Sequence, residues 1–183
     1  MAFTVKDFGI KGQGNHMSHV DAAKYFGAAV TYLKKSELAA TVYNTLEHLP
    51  NYIPVLVWDC NGDDYFSHAH AGGGLINWDP LSAMQVTEGG WQSPAVALIH
   101  EMYHAYQEYV LKDIYPNMPQ KLVSTGPGTG KAAVSKEEVD TVVFEGKVCK
   151  QLAALGHANE TVRASYYRYI GIRPVKSPSA TGG

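Results

Sequence analysis

The apolar positions of this 183-residue chain change period several times, and each change marks an element. Over residues 18–35, Val20, Ala23, Phe26, Ala29, Val30 and Leu33 recur at helical spacing behind Ser18 as a capping residue. A second helix starts at Ser36, carries Leu38, Val42, Leu46 and Leu49 as its stripe, and stops at Pro50. The period then shortens. Tyr52-Ile53-Pro54-Val55-Leu56-Val57-Trp58 is apolar and β-branched and predicts a buried strand. Asn61-Gly62-Asp63-Asp64 is a turn signal. Residues 65–70 read as the returning strand, and Leu75-Ile76-Asn77-Trp78-Asp79-Pro80 as a third short strand closed by proline.

Helical spacing returns at Ser93-Pro94, an N-cap followed by a first-turn proline, and runs on through Ala95, Val96, Ala97, Leu98 and Ile99. Residues 113–130 hold Pro116, Pro119, Pro127 and several glycines and read as a loop. Gly126-Pro127-Gly128-Thr129-Gly130-Lys131 lacks the spacing of a phosphate loop. A further helix opens at Ser135, buries Val139, Val142, Val143, Gly146, Val148, Cys149 and Leu152, and ends at Gly156. A last helix is expected over residues 159–170. Residues 1–16 are expected to be an irregular lead-in with one strand over residues 3–5, and the tail from Arg173 to be loose. The pattern is that of one α+β domain with a small mixed or antiparallel sheet.

Composition narrows the function. An apolar content of 45% with 17% charged residues is that of a folded domain with a core. A net charge of −2 gives no electrostatic case for nucleic acid or an anionic membrane, and no apolar run reaches transmembrane length. The first residues lack the charged and apolar regions of a secretory signal. Two cysteines, Cys60 and Cys149, are too few for a disulfide framework and read as separate thiols.

The candidate chemistry lies on the helix after Pro94, in His100-Glu101-Met102-Tyr103-His104. Residues at i and i+4 share one face of a helix, so both imidazoles can reach one metal ion. Composition alone gives such a match in roughly 2 of 100 shuffled chains, and its placement on an apolar helix lowers that further. Zinc suits neutral imidazole and keeps one position open at a catalytic site. His100 and His104 are therefore candidate zinc ligands, and Glu101 the candidate general base.

A catalytic zinc needs a third protein ligand. Glu108 sits a turn beyond His104, too far to share the ion easily. The helix from Ser135 offers Glu137, Glu138 and Asp140. Ser135 and Glu138 also have capping-box spacing, which would turn the Glu138 carboxylate back toward the Ser135 N–H. Asp140, Glu145 and Glu160 are candidates to orient the imidazoles from behind. His68 and His70 share one side of a strand and fit a solvated strand end better than a second metal.

With these residues in view, the chain resembles the zinc metalloprotease effectors of the NleD type. It is also similar to the clostridial neurotoxin light chains, which share a Glu-Glu-x-x-Thr element after the metal helix; here that is Glu137-Glu138-Val139-Asp140-Thr141. The resemblance spans roughly residues 38–173. Leu75-Ile76-Asn77-Trp78-Asp79-Pro80 resembles the strand and Asp-Pro before the metal helix, and Asn159-Glu160-Thr161-Val162-Arg163 a later Glu-Asn-x-x-Arg element with its first two residues changed. Arg163-Ala164-Ser165-Tyr166 has the spacing of the family's Arg-x-x-Tyr.

The resemblance implies a zincin-like fold, with Glu138 as third ligand and Glu137 behind it. It further implies a zinc endopeptidase delivered into a target cell as a bacterial effector or toxin, without a Sec-type signal. Its partner would be a protein substrate, and the chain is expected to be a monomer. The strand containing Asn77 is the candidate sheet edge for an extended substrate. Tyr166 is the candidate oxyanion donor, with Tyr167 and Tyr169 as neighbours in a run that could equally be a packed helix face. Arg163 is a candidate to bind substrate or Glu137. Two other functions compete: an antibacterial toxin domain of a larger secreted protein, and a non-catalytic zinc-binding module, against which an intact Glu101 argues.

Overall fold

Trp78 joins the three parts of the fold. It is fully buried, packs edge-on to Phe26 at 6.5 Å between ring centroids, and donates its indole N–H to the Pro94 carbonyl at 2.7 Å. A strand, an N-terminal helix and the histidine-bearing helix thus meet at one side chain. The structure is a computed structural model that describes residues 10–14, 17–59, 62, 64–68, 74–112, 120–124, 130–157, 160–166 and 169–181.

The architecture is mixed α+β. Helices α1 (His19–Leu33) and α2 (Glu37–Glu47) come first, and α3 (Pro94–Tyr106) and α4 (Lys136–Ala154) later. Ser18, Ser36 and Ser135 cap α1, α2 and α4 by accepting a backbone N–H three residues on. A four-stranded mixed sheet is built from β1 (Lys11–Gly12), β2 (Val55–Val57), β3 (Tyr65–Ser67) and β4 (Leu75–Trp78), in the order β1-β2-β4-β3. β1, β2 and β4 run parallel, and β3 is antiparallel to β4. A second sheet has the order β6-β5-β9, from β5 (Ser82–Val86), β6 (Gly90–Gln92) and β9 (Tyr169–Pro174). β7 (Gln120–Ser124) and β8 (Lys131–Ser135) form a separate hairpin. Among the described residues, no helix is long and apolar enough to cross a membrane.

The core lies between α1–α3 and the first sheet. Leu98, Ile99 and Met102 of α3 have no exposed surface, and each such burial contributes about 1.5–3 kcal/mol. Cys149 is a buried free thiol on α4, and Cys60 lies outside the described residues.

Several expectations are corrected. β4, expected to be the substrate edge, is interior, flanked by β2 and β3. The outer strands are β1 and β3, and β3 pairs only with β4 among the described residues. No helix spans residues 159–170: residues 160–166 are irregular and β9 begins at Tyr169. β5 offers that segment an antiparallel partner along its length, and Tyr169, Ile170 and Ile172 are residue types that suit a strand.

The tail is also docked. The Val175 N–H donates to Leu81 O at 2.8 Å, and Pro178 is buried with its carbonyl accepting from the Ala95 N–H at 2.8 Å. Ala95 lies in the first turn of α3, where N–H groups lack helical partners, and Ser93 makes no side-chain cap there. The tail supplies the missing acceptor. Within the expected loop, residues 120–124 form one arm of the hairpin, and residues 113–119 and 125–129 lie outside the described residues. In the lead-in, Ile10 is buried and β1 pairs with β2, while residues 3–5 lie outside the described residues.

Replacing Trp78 by Ala removes the largest fully buried side chain and its hydrogen bond. The expected loss is about 3–5 kcal/mol, measured by urea unfolding; a loss below about 1 kcal/mol would contradict this account of the core.

Candidate metal centre

α3 presents His100 and His104 one turn apart on a face turned toward α4, and both are nearly fully buried. The start of α4 brings Glu137 and Glu138 to His104, and Glu145, two turns further on, reaches His100. The two helices therefore run past each other in opposite senses. Acidic residues suit the first turn of α4, where the helix end carries unpaired N–H groups.

The three candidate ligands converge. His100 Nε2 and His104 Nε2 lie 3.2 Å apart. Glu138 Oε2 is 3.5 Å from His100 Nε2, and Glu138 Oε1 is 3.5 Å from His104 Nε2. Among the described residues, these three form the group whose ligand atoms all fall within 4.8 Å of one another. Tetrahedral zinc with ligands at about 2.05 Å separates neighbouring donors by about 3.3 Å, so the spacing fits that ion. Ser135 Oγ accepts the Glu138 N–H at 3.2 Å, completing one half of the capping box. The Glu138 side chain does not close the other half. It points at the imidazoles, and its Oε2 is buried without a hydrogen-bond partner, an orphaned acceptor that a cation would satisfy.

Both far-side nitrogens are held. His100 Nδ1 donates to Glu145 Oε2 at 2.8 Å, and His104 Nδ1 to Glu137 Oε1 at 2.9 Å. Each carboxylate keeps a proton on Nδ1, so Nε2 is the nitrogen that a metal would take once its own proton leaves. Glu145 is in turn gripped by Arg163, through Nε to Oε1 at 3.0 Å and Nη2 to Oε2 at 2.6 Å, and by Gln92 Nε2 at 2.6 Å. The Gln107 amide donates to the Glu137 carbonyl at 3.2 Å, and Thr141 Oγ1 donates to Gln107 Oε1 at 2.8 Å. These bonds tie the end of α3 to the start of α4.

Burial and charge set the protonation. Burial alone pushes both imidazoles down, but the nearby carboxylates of Glu138 and Glu145 raise His100, and those of Glu137 and Glu138 raise His104 to about 10. Burial pushes the Glu138 carboxyl up, yet the two imidazoles 3.5 Å away hold it well below the usual range. Glu145 is likewise favoured neutral by burial, but chiefly Arg163 and then His100 hold it at about 2. Glu101 is raised, chiefly by burial, which makes it a better proton acceptor than a solvated carboxylate.

The ligand face opens onto a cavity of about 330 Å³, lined among others by His68, Glu101, Glu145, Arg163 and Tyr166. Of the candidates read from the sequence, His100, Glu101, His104, Glu138, Arg163 and Tyr166 meet here. Asn77 does not: it is buried within β4, where its Oδ1 accepts from Trp58 Nε1. Arg163 pairs with Glu145 and not Glu137, and its guanidinium lies 5.7 Å from the Tyr166 ring centroid. Asp140 pairs with Lys136, and Glu160 accepts from the Tyr32 hydroxyl at 2.8 Å and the Ser93 N–H at 2.9 Å, so neither orients an imidazole. The side chains of Tyr167 and Tyr169, like the whole of His70, lie outside the described residues. His68, given no role by the sequence reading beyond a strand end, stands against Glu108 and Glu137. Its signal in the sequence was only its place after a short strand.

Comparison with protein families, with curated proteins and with solved structures found no match.

Metal analysis of the purified protein should give near-stoichiometric zinc, lost in His104→Ala and Glu138→Ala. Zinc retained in Glu138→Ala would remove that residue from the ligand set. Because the folded His104 pKa lies above its unfolded value of about 6.5, its protonation stabilises the metal-free form. That contribution is complete below about pH 6.5 and lost as pH rises through about 10. Metal must displace that proton. Calorimetric titration at pH 8 in buffers of different ionisation enthalpy should show about one or more protons released per zinc; none released would refute this protonation state.

Proposed function

We propose that this chain is a zinc-dependent endopeptidase. The supporting observation is the three-donor cluster of His100, His104 and Glu138, with each imidazole backed by a buried carboxylate and Glu101 beside it on an open cavity. A site of purely structural zinc closes all four positions with protein ligands; this one has three donors and a cavity in front of them. The sequence resemblance to the NleD-type effectors supports this reading, and a zincin-like fold is part of the same proposal.

Zinc at such a site supplies Lewis acidity toward a peptide carbonyl and acidity to a water molecule. His100, His104 and Glu138 would hold it. Glu101 takes the proton of the attacking water and delivers it to the leaving amine. The side of β3 away from β4 accepts an extended substrate by strand pairing: among the described residues β3 is an outer strand, and Tyr65 and Phe66 line the cavity. Tyr65, Met84 and Ile172 give that cavity an apolar outer wall. Tyr166, whose backbone carbonyl accepts from Arg163 Nη1 at 3.2 Å, lines the cavity and is the candidate to donate to the developing oxyanion. Arg163 acts on His100 through Glu145 and also touches it directly, Nη2 to Nδ1 at 3.1 Å. The substrate would be a protein in a target cell reached by secretion as a monomeric effector or toxin, with an antibacterial role as the variant of the same reading.

Glu101→Gln keeps the shape of the site and removes the base. It should bind zinc as the wild type does and cleave unfolded protein substrates at least about 100-fold more slowly, with products read by mass spectrometry. Equal cleavage by Glu101→Gln would refute the peptidase mechanism.

A further inference from the structure

Directly after the edge strand β3 stands His68, and its ring spans two carboxylates that come from different helical segments. Glu108 Oε2 lies 2.8 Å from Nδ1, and Glu137 Oε1 lies 3.5 Å from Nε2. That same Glu137 oxygen accepts the Nδ1–H of the ligand His104 at 2.9 Å. The His68 ring also lies edge-on to His104 at 6.3 Å and to Phe66 at 5.1 Å, so its position is packed as well as hydrogen-bonded.

Glu108 reaches His68 because of a local change in helix winding. α3 gives way to a π-helical turn over Gln107–Leu111, which ends at Lys112 in the left-handed region, φ 60°. The wider turn re-aims residue 108 relative to an α-helix continued from His104. Single π turns are rare and occur often at functional sites. Glu108 is only 9% exposed, so its carboxylate needs the partner that His68 provides.

We propose that His68 is a positioning residue for the metal centre: it steadies the Glu137 carboxylate, and through it His104, and so joins the substrate edge of the sheet to the ligand set. The proposal rests on the zinc reading above. With its Oε1 2.9 Å from His104 Nδ1 and 3.5 Å from His68 Nε2, the Glu137 carboxylate has less room to swing away from His104, which keeps the ligand lone pair aimed. Because His68 follows β3 and lines the cavity, a strand paired along β3 would press on the residue that steadies the ligand.

The test is metal affinity, read with zinc and with cobalt(II), whose absorption reports ligand geometry. His68→Ala should weaken affinity about tenfold, the scale of losses on removing an outer partner, and shift the cobalt spectrum. Glu108→Gln should act in the same direction, and reports on the same contact if His68→Ala does not fold. In a Glu137→Gln background, His68→Ala should cost nothing further, since its route to His104 is already cut. A merely structural role would lower melting temperature in both backgrounds without this non-additivity. Unchanged affinity in His68→Ala, or full additivity with Glu137→Gln, overturns the proposal while wild-type zinc binding leaves the metal reading intact. A wild type that binds neither metal overturns both.

Discussion

Two imidazole lone pairs and a carboxylate aimed at one point are an unstable arrangement without a positive charge between them. The N–H of each imidazole is already committed on the far side, to Glu145 and to Glu137. What remains for the near side is repulsion. Unit charges at 4 Å interact by about 4 kcal/mol at an effective dielectric of 20, and Glu101 and Glu138 act on each other in that sense. Protons relieve the strain in the metal-free form, which is why the imidazoles hold theirs so firmly. A divalent cation relieves it without occupying the nitrogens with hydrogen. Much of the surrounding structure serves to keep these groups from moving apart, from the Arg163 grip on Glu145 to the Gln107 and Thr141 bonds across α3 and α4.

That fixing draws on chain far from the motif. The segment bearing Arg163 is stapled to β6 by the Thr161 N–H, which donates to Trp91 O at 2.9 Å. Gly90 makes this approach possible, because a Cβ there would collide with the Thr161 side chain. At the other end, the first turn of α3 is closed by a carbonyl from the tail. The helix bearing the two histidines is therefore held at its first turn by the tail and braced at His100, through Glu145, by the Arg163 segment, neither of which carries a candidate ligand.

The sequence made the helices legible because their signals are local: Ser18, Ser36 and Ser135 cap, and Pro50 and Gly156 end. The His100–His104 spacing was legible for the same reason, since i and i+4 share a face in any α-helix. Glu138 was harder, as one residue had both a capping role and a ligand role open to it, and only the packing of α4 on α3 separates them. The strands failed where partner choice decides. Nothing local tells that Leu75 to Trp78 lies inside the sheet, or that Tyr169 onward pairs with β5 in place of coiling. The Glu145–Arg163 pair and His68 were invisible for a related reason. Their roles depend on distant neighbours, and no spacing rule records which buried carboxylate an arginine will meet.

The π turn at Gln107–Leu111 separates α3, with its two histidines, from the end of the helical segment that carries Glu108. One extra residue accommodated within a helix rotates everything downstream and nothing upstream. The pitch that sets His100 against His104 is thus insulated from whatever sequence follows Tyr106. Insertions, deletions or altered winding beyond that point can redirect Glu108, and with it the outer support of the site, without disturbing the spacing of the two imidazoles. A lineage could therefore retune how firmly the His100, His104 and Glu138 cluster is held through a segment that supplies none of its three donors.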